Sequence, residues 1–125
     1  IPFSDVNAQD YKGRTALHAA VTGRSSECVS MILLNDHLDE LKVTSEGNTA
    51  LHMAVRFGFP EIVNLIHEEF PVLANKVNKA NQTPKTMAQD ILDNLTSWEE
   101  FMLKQNRKIG SREDFTKIFN LFSNS

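Results

Sequence analysis

Cysteine is almost missing from this chain: among 125 residues, Cys28 stands alone. Without a second thiol no internal disulfide can form, and nothing points to an oxidising compartment. Cys28 sits in the apolar run CVSMILL, where a small buried hydrophobe is expected and not a nucleophile. Long hydrophobic runs are also missing. None nears the roughly 20 residues that span a bilayer, and no basic-then-apolar leader is present, so no membrane insertion is expected. Runs of one charge are absent too, and the net charge is only −3. That balance disfavours nucleic acid as a partner, because phosphate neutralisation needs clustered cations. The chain also lacks a Gly-rich phosphate loop, zinc-finger spacing and carboxylates paired for acid–base work. No enzyme, cofactor or metal is therefore expected.

The content that is present, 41% hydrophobic and 23% charged, is that of a folded domain and not of a disordered tail. Its main feature is a repeated word. GRTALHAAV at residue 13 returns as GNTALHMAV at residue 47 and, more loosely, as NQTPKTMAQ at residue 81, at a fixed spacing of 34. Three copies in one register mark a repeat protein. Each copy opens on a polar turn (10–13, 44–47, 78–81) that ends in Gly13, Gly47 or Asn81, residues for which a positive φ costs little. Thr15, Thr49 or Thr83 then caps a helix, with Ala or Pro84 at its first position. A second amphipathic segment follows: Val29, Ile32 and Leu33 in copy one, and Ile62, Leu65, Ile66 and Phe70 in copy two, after Pro60.

The Gly13–Ala20 and Gly47–Ala54 stretches closely resemble the ankyrin-repeat signature Gly-x-Thr-Pro-Leu-His-x-Ala, with Ala in place of Pro. Gly58 resembles the family's turn between helices. The resemblance covers about residues 5 to 96 and implies an all-α solenoid of stacked helix-turn-helix units with β-turn-like fingers. Within a single domain over 1–125, repeat one is expected at about 6–39, repeat two at about 40–73 and a divergent repeat three at about 74–106. The departures are Arg24 where the family has Gly, with Gly23 one place early, and Lys85 and Thr86 in place of Leu and His. Copy three's second helix is displaced by several residues.

Beyond the repeats, Ser97–Glu100 reads as a capping box before Trp98, Phe101 and Met102. Ser111–Asp114 repeats the device weakly before Phe115, Ile118, Phe119 and Phe122, an apolar stripe at 111–122 expected to cap the array. A docking helix for another protein is the alternative. At the front, the chain opens directly into a repeat turn and begins with Ile1, so further repeats or domains upstream are expected.

His18 and His52 are the natural candidates for chemistry. Cys28 belongs to an outer helix, and His37 and His67 lie at or near the far ends of outer helices, so no shared ligand set is expected. Thr-x-x-His also lacks an orienting carboxylate for nucleophilic catalysis. In the ankyrin family this histidine ties neighbouring repeats together, so the resemblance implies structural roles for Gly13, Thr15, His18, Gly47, Thr49, His52, Gly58, Thr83 and Pro84. It also implies that a partner protein is bound by turn tips and inner-helix positions on a concave face. Those map to Tyr11, Lys12, Arg14, Ser45, Glu46, Asn48, Lys79 and Gln82 at the tips, and to Thr22, Arg56, Phe57 and Asp90 on the helices. Tyr11, Arg14, Arg56 and Phe57 stand out, since aromatics and Arg dominate hot spots. The function expected is non-catalytic protein binding, as adaptor or inhibitor, in an intracellular setting, cytoplasmic or nuclear or both. The alternative is a regulatory or architectural segment of a larger enzyme, channel or transcriptional regulator.

Overall fold

A threonine opens every first helix of a repeat, and its hydroxyl explains why the helix starts there. In the computed structural model, which describes residues 6–36 and 38–123, Thr15 caps α1 (Ala16–Thr22), Thr49 caps α3 (Ala50–Phe57) and Thr83 caps α5 (Pro84–Asp93). Each cap is reciprocal: the Thr hydroxyl accepts from the N3 backbone, while the N3 side chain (His18, His52, Thr86) returns to the cap's N–H. Two otherwise orphaned donors are satisfied at once. His37 and residues 1–5 lie outside the described residues.

The second helices are α2 (Ser26–Leu33) and α4 (Pro60–Glu69), α4 beginning on Pro60, whose missing N–H costs nothing there. On α2, Cys28 is exposed and not buried as expected, because the buried face falls on Val29 and Leu33. A short 3-10 turn, Pro71–Asn75, leads to the third finger. Two further helices follow, α6 (Leu95–Lys104) and α7 (Arg112–Ser123). All regular structure among the described residues is helical.

The helices stand in two rows. α1, α3 and α5 pack in order as the inner row, and α2, α4 and α7 form the outer row. Between the rows lies one core, with Leu51, Val55, Ile62, Ile66, Phe115 and Ile118 sealed from solvent. Outside it, the polar turns project as fingers. Each closes on itself (Gly13 N–H to Asp10 O, Gly47 to Thr44, Asn81 to Asn78), with positive φ at Gly13, Gly47 and Asn81. Neighbouring fingers are joined: Ser45 N–H donates to Lys12 O at 2.8 Å and Lys79 N–H to Glu46 O at 3.0 Å. A Cβ on Gly47 would come within 2.8 Å of Lys79's backbone nitrogen, so the ladder needs glycine there.

The third outer helix departs from expectation. At a spacing of 34 from α4, the outer helix of copy three should fall where α6 lies. Instead α7 packs against both α5 and α4, so it takes the outer place of the third unit. Phe115 is fully buried and its ring occupies the space beside the Cα of Gly58 (φ +73), where a Cβ would come within 2.6 Å. Gly110 N–H donates to Phe57 O at 2.7 Å, locking the approach to α7 onto the end of α3. The Ser111–Asp114 box forms: Ser111 N–H donates to Asp114 Oδ2 at 2.9 Å, and Asp114 N–H to Ser111 Oγ at 3.3 Å. The Ser97–Glu100 box does not, because α6 starts two residues earlier, at Leu95, and takes both residues into its interior.

Candidate functional site

The repeated histidines are committed to the scaffold by their hydrogen bonds. His18 Nδ1 accepts from Thr15 N–H at 3.1 Å, and Nε2 reaches Asn48 O in the next finger at 3.1 Å. His52 repeats this with Thr49 N–H at 3.2 Å and Gln82 O at 2.8 Å. A backbone N–H can only donate, so Nδ1 is the acceptor and Nε2 carries the proton, given to a carbonyl. Burial pushes both imidazoles below their ordinary pKa, against a smaller opposing pull from the acceptor carbonyls. Neutral, with Nδ1 accepting from the cap and Nε2 donating to a carbonyl, they hold no free lone pair to bind a metal or to take a proton from a nucleophile. Among the described residues no three or more of His, Cys, Asp and Glu gather as metal ligands, and no helix is long and apolar enough to cross a membrane. In copy three Thr86 keeps the local cap but is too short to reach onward, and among the described residues no fourth finger follows it.

The face expected to meet a partner divides into exposed and buried members. Tyr11 projects from the first fingertip with 87% of its surface exposed; Lys12, Ser45, Glu46 and Lys79 are exposed beside it, and Asp90 lies exposed on α5. Arg14 is half-buried, its Nε 2.9 Å from Asp10 Oδ2. Asp10 also accepts from the backbone N–H groups of Arg14 and Lys12, and its carboxyl is held below the usual range, first by the Arg14 N–H. Thr22 spends its hydroxyl on His18 O at 3.0 Å. Gln82 is half-buried, and its carbonyl is already taken by His52.

Two expected contact residues lie inside. Phe57 is only 5% exposed and stacks on Phe59 with ring centroids 5.9 Å apart. Its side chain is scaffold because the end of α3 is roofed by the segment entering α7. Asn48 is 2% exposed, and its Oδ1 accepts from Asn78 Nδ2 at 2.9 Å, a buried amide pair between fingers two and three.

The structure also adds residues that sequence register could not assign to this face. α6 does not take the outer place but turns back along the inner row. Trp98 Nε1–H donates to Arg56 O at 3.1 Å, and the Arg56 guanidinium lies over the Trp98 ring, 5.0 Å from its centroid. Phe101, Gln105 and Arg107 thereby become a wall opposite the first two fingers, around a cleft of about 180 Å³ floored by Met53 and Phe57. A second, open recess lies between α5 and α6, lined by Met87, Asp90, Ile91, Trp98 and Phe101. Lys104, Arg107 and Lys108 are legible in the sequence only as cations near a helix end. Where that end lies is a tertiary fact.

Residues 2–86 match the family model described as ankyrin repeats (3 copies). Among curated proteins, the chain is 40% identical over 63 residues to the nuclear factor NF-kappa-B p105 subunit of Gallus gallus, covering 50% of this chain and 6% of that protein. It is 32% identical over 79 residues to the target of rapamycin complex 2 subunit AVO2 of Saccharomyces cerevisiae, covering 62% of this chain and 18% of the relative. It is 30% identical over 110 residues to ankyrin repeat domain-containing protein 37 of Bos taurus, covering 88% of this chain and 61% of the relative. The matched stretch is thus less than two thirds of each relative's length. Ankyrin repeats are generally non-catalytic protein–protein interaction modules. With three copies of the signature, three fingers in one hydrogen-bonded ladder and a family match over most of its length, this chain belongs to the ankyrin-repeat family.

Proposed function

We propose that this chain is a non-catalytic binding module that holds a partner protein, as adaptor or inhibitor, through its fingertips and inner-helix face. The observation that carries this is the division of labour among the repeated residues. His18, His52, Thr15, Thr49 and Asn48 are buried and hydrogen-bonded within the scaffold, while Tyr11, Lys12, Ser45 and Lys79 project from fingers that the backbone ladder holds in place. A pre-formed face of this kind loses little freedom on binding, so its affinity is set by side chains. Tyr11→Ala/Lys79→Ala removes two exposed groups and leaves the core untouched. Quantitative pull-down from cell extract, with the wild type as reference, should show partner recovery fall by about tenfold, the effect of losing hot-spot side chains. Unchanged recovery by the folded double variant would falsify binding through this face.

A second reading is a regulatory or architectural segment of a larger protein, with its repeats packed in cis. It draws on the two relatives in which the matched stretch is 6% and 18% of the length. Such packing would leave the fingertips covered in the native full-length protein. Tyr11 protected from surface-labelling reagents there, but labelled in the isolated 125-residue chain, is the outcome that favours it.

A further inference from the structure

The cleft between the first two fingers and α6 gathers charge of one sign on a chain whose net charge is −3. Lys12, Arg14, Arg56 and Arg107 line it, with Glu46 the only carboxylate. Arg14 is engaged by Asp10, and Arg56 stands 3.8 Å from Glu46, whose side chain is 70% exposed. Lys12 and Arg107 make no ion pair among the described residues. The floor is apolar, with Met53, Phe57 and Met102 all buried, so a charge entering the cleft is less screened than at open surface. The walls are pre-set by the Trp98–Arg56 bond and by Gly110's bond to Phe57.

We propose that this cleft binds an acidic segment of the partner polypeptide, with a carboxylate side chain meeting Lys12, Arg56 and Arg107. The next recess along α6 then takes an adjoining apolar side chain against Met87, Ile91, Trp98 and Phe101. The inference rests on protein binding through the finger and inner-helix face and names the chemistry recognised there. Guanidinium groups suit carboxylates because they can donate two parallel hydrogen bonds. A polypeptide fits better than a nucleic acid because the second recess shares Arg56 with the cleft but adds no cation of its own and carries Asp90, where a phosphate track would need another cation.

The test is a selection of random dodecapeptides displayed on phage against the intact 125-residue chain. Its best sequences are then synthesised with a fluorescent label and titrated by anisotropy. Binders enriched in Asp or Glu next to a large apolar residue are expected. Lys12→Glu/Arg107→Glu, both at exposed positions, should weaken the best peptide at least about tenfold, and Lys12→Gln/Arg107→Gln by less, as charge complementarity requires. Both variants are checked for native melting. Binders without acidic enrichment, or affinities unchanged by charge reversal, overturn the acidic cleft and leave the pull-down result for the broader function standing. A labelled twenty-nucleotide oligothymidylate that binds as tightly as the best peptide and is lost on charge reversal reassigns the cations to phosphate and overturns the proposal. A selection with no binder overturns it as well, with the pull-down still reading whether this face holds a protein.

Discussion

His18 and His52 each join three groups: the cap of their own helix, the helix backbone and the carbonyl of the next finger. Removing such a ring leaves buried partners unpaired on both sides of a repeat boundary. His52→Gln should therefore destabilise by about 2 kcal/mol or more at pH 7.5, read from urea unfolding. The pH dependence follows from the same burial. A histidine whose folded pKa is depressed stays neutral while its unfolded counterpart, near 6.5, takes up a proton. The stabilisation is complete above that value and is lost as pH falls through the lower folded pKa. The melting temperature of the wild type should thus drop between pH 7.5 and 5.5, and His52→Gln should show a shallower drop. Equal slopes for the two proteins would contradict the assignment. The motif TALH makes this role legible in sequence, because Thr at the cap and His at N3 are four residues of one local structure. The carbonyl acceptor 30 residues on is legible only once the repeat spacing is recognised.

At the scale of elements, the turn between helices shows the family rule and a departure from it. Gly58 ends α3 with φ +73, and in copy one the same register holds Arg24, also left-handed at φ 54. A side chain in that region costs roughly 1 kcal/mol. Arg24 offsets it with an exposed ion pair, Nε to Glu61 Oε1 at 3.2 Å, and with its half-exposed guanidinium 4.8 Å over the ring of the buried Phe59. Each is worth about 0.5–1 kcal/mol at a surface. Arg24→Gly exchanges the contacts for relief of strain and should lie within about 0.5 kcal/mol of wild type, whereas Arg24→Ala loses the contacts and keeps the strain, and should be about 1 kcal/mol less stable than Arg24→Gly. Chemical denaturation of the three proteins side by side measures both differences. Sequence inspection places Gly23 as a substitute for the missing glycine. The structure gives Gly23 an ordinary φ of −78 and leaves the left-handed residue where the register puts it, because turn length, once set by the two packed helices, outweighs the local preference for glycine.

For the molecule as a whole, α7 and α6 differ in what they hold together. α7 is the third outer helix, and Phe115 fills the space beside Gly58 under full burial. Phe115→Ala should cost about 3–5 kcal/mol and lower the melting of the entire array. α6 rests on the inner row through a half-buried Trp98 and a buried Met102, with Phe101 and Leu103 exposed. Trp98→Ala should speed amide exchange within residues 95–104 while leaving exchange in α3 and α4 near wild type. A uniform rise in exchange would mean that α6 unfolds only with the whole array.

Three copies of a nine-residue word at a spacing of 34 by themselves determined the ankyrin architecture, the caps, the fingers and the inner and outer helices of the first two units. Those features arise from local chemistry repeated at a fixed interval, and each needs only its own few residues to be recognised. Which later helix completes the third unit was decided by tertiary structure alone. α6 and α7 both carry apolar stripes at helical spacing, but only α7 has Phe115, Ile118 and Phe122 placed to fill the groove between α4 and α5. That choice sends α6 across the inner face, buries Phe57, and turns four cations scattered from residue 12 to residue 107 into one cleft. Proximity across so much chain comes from packing and leaves no local signature for a sequence to display.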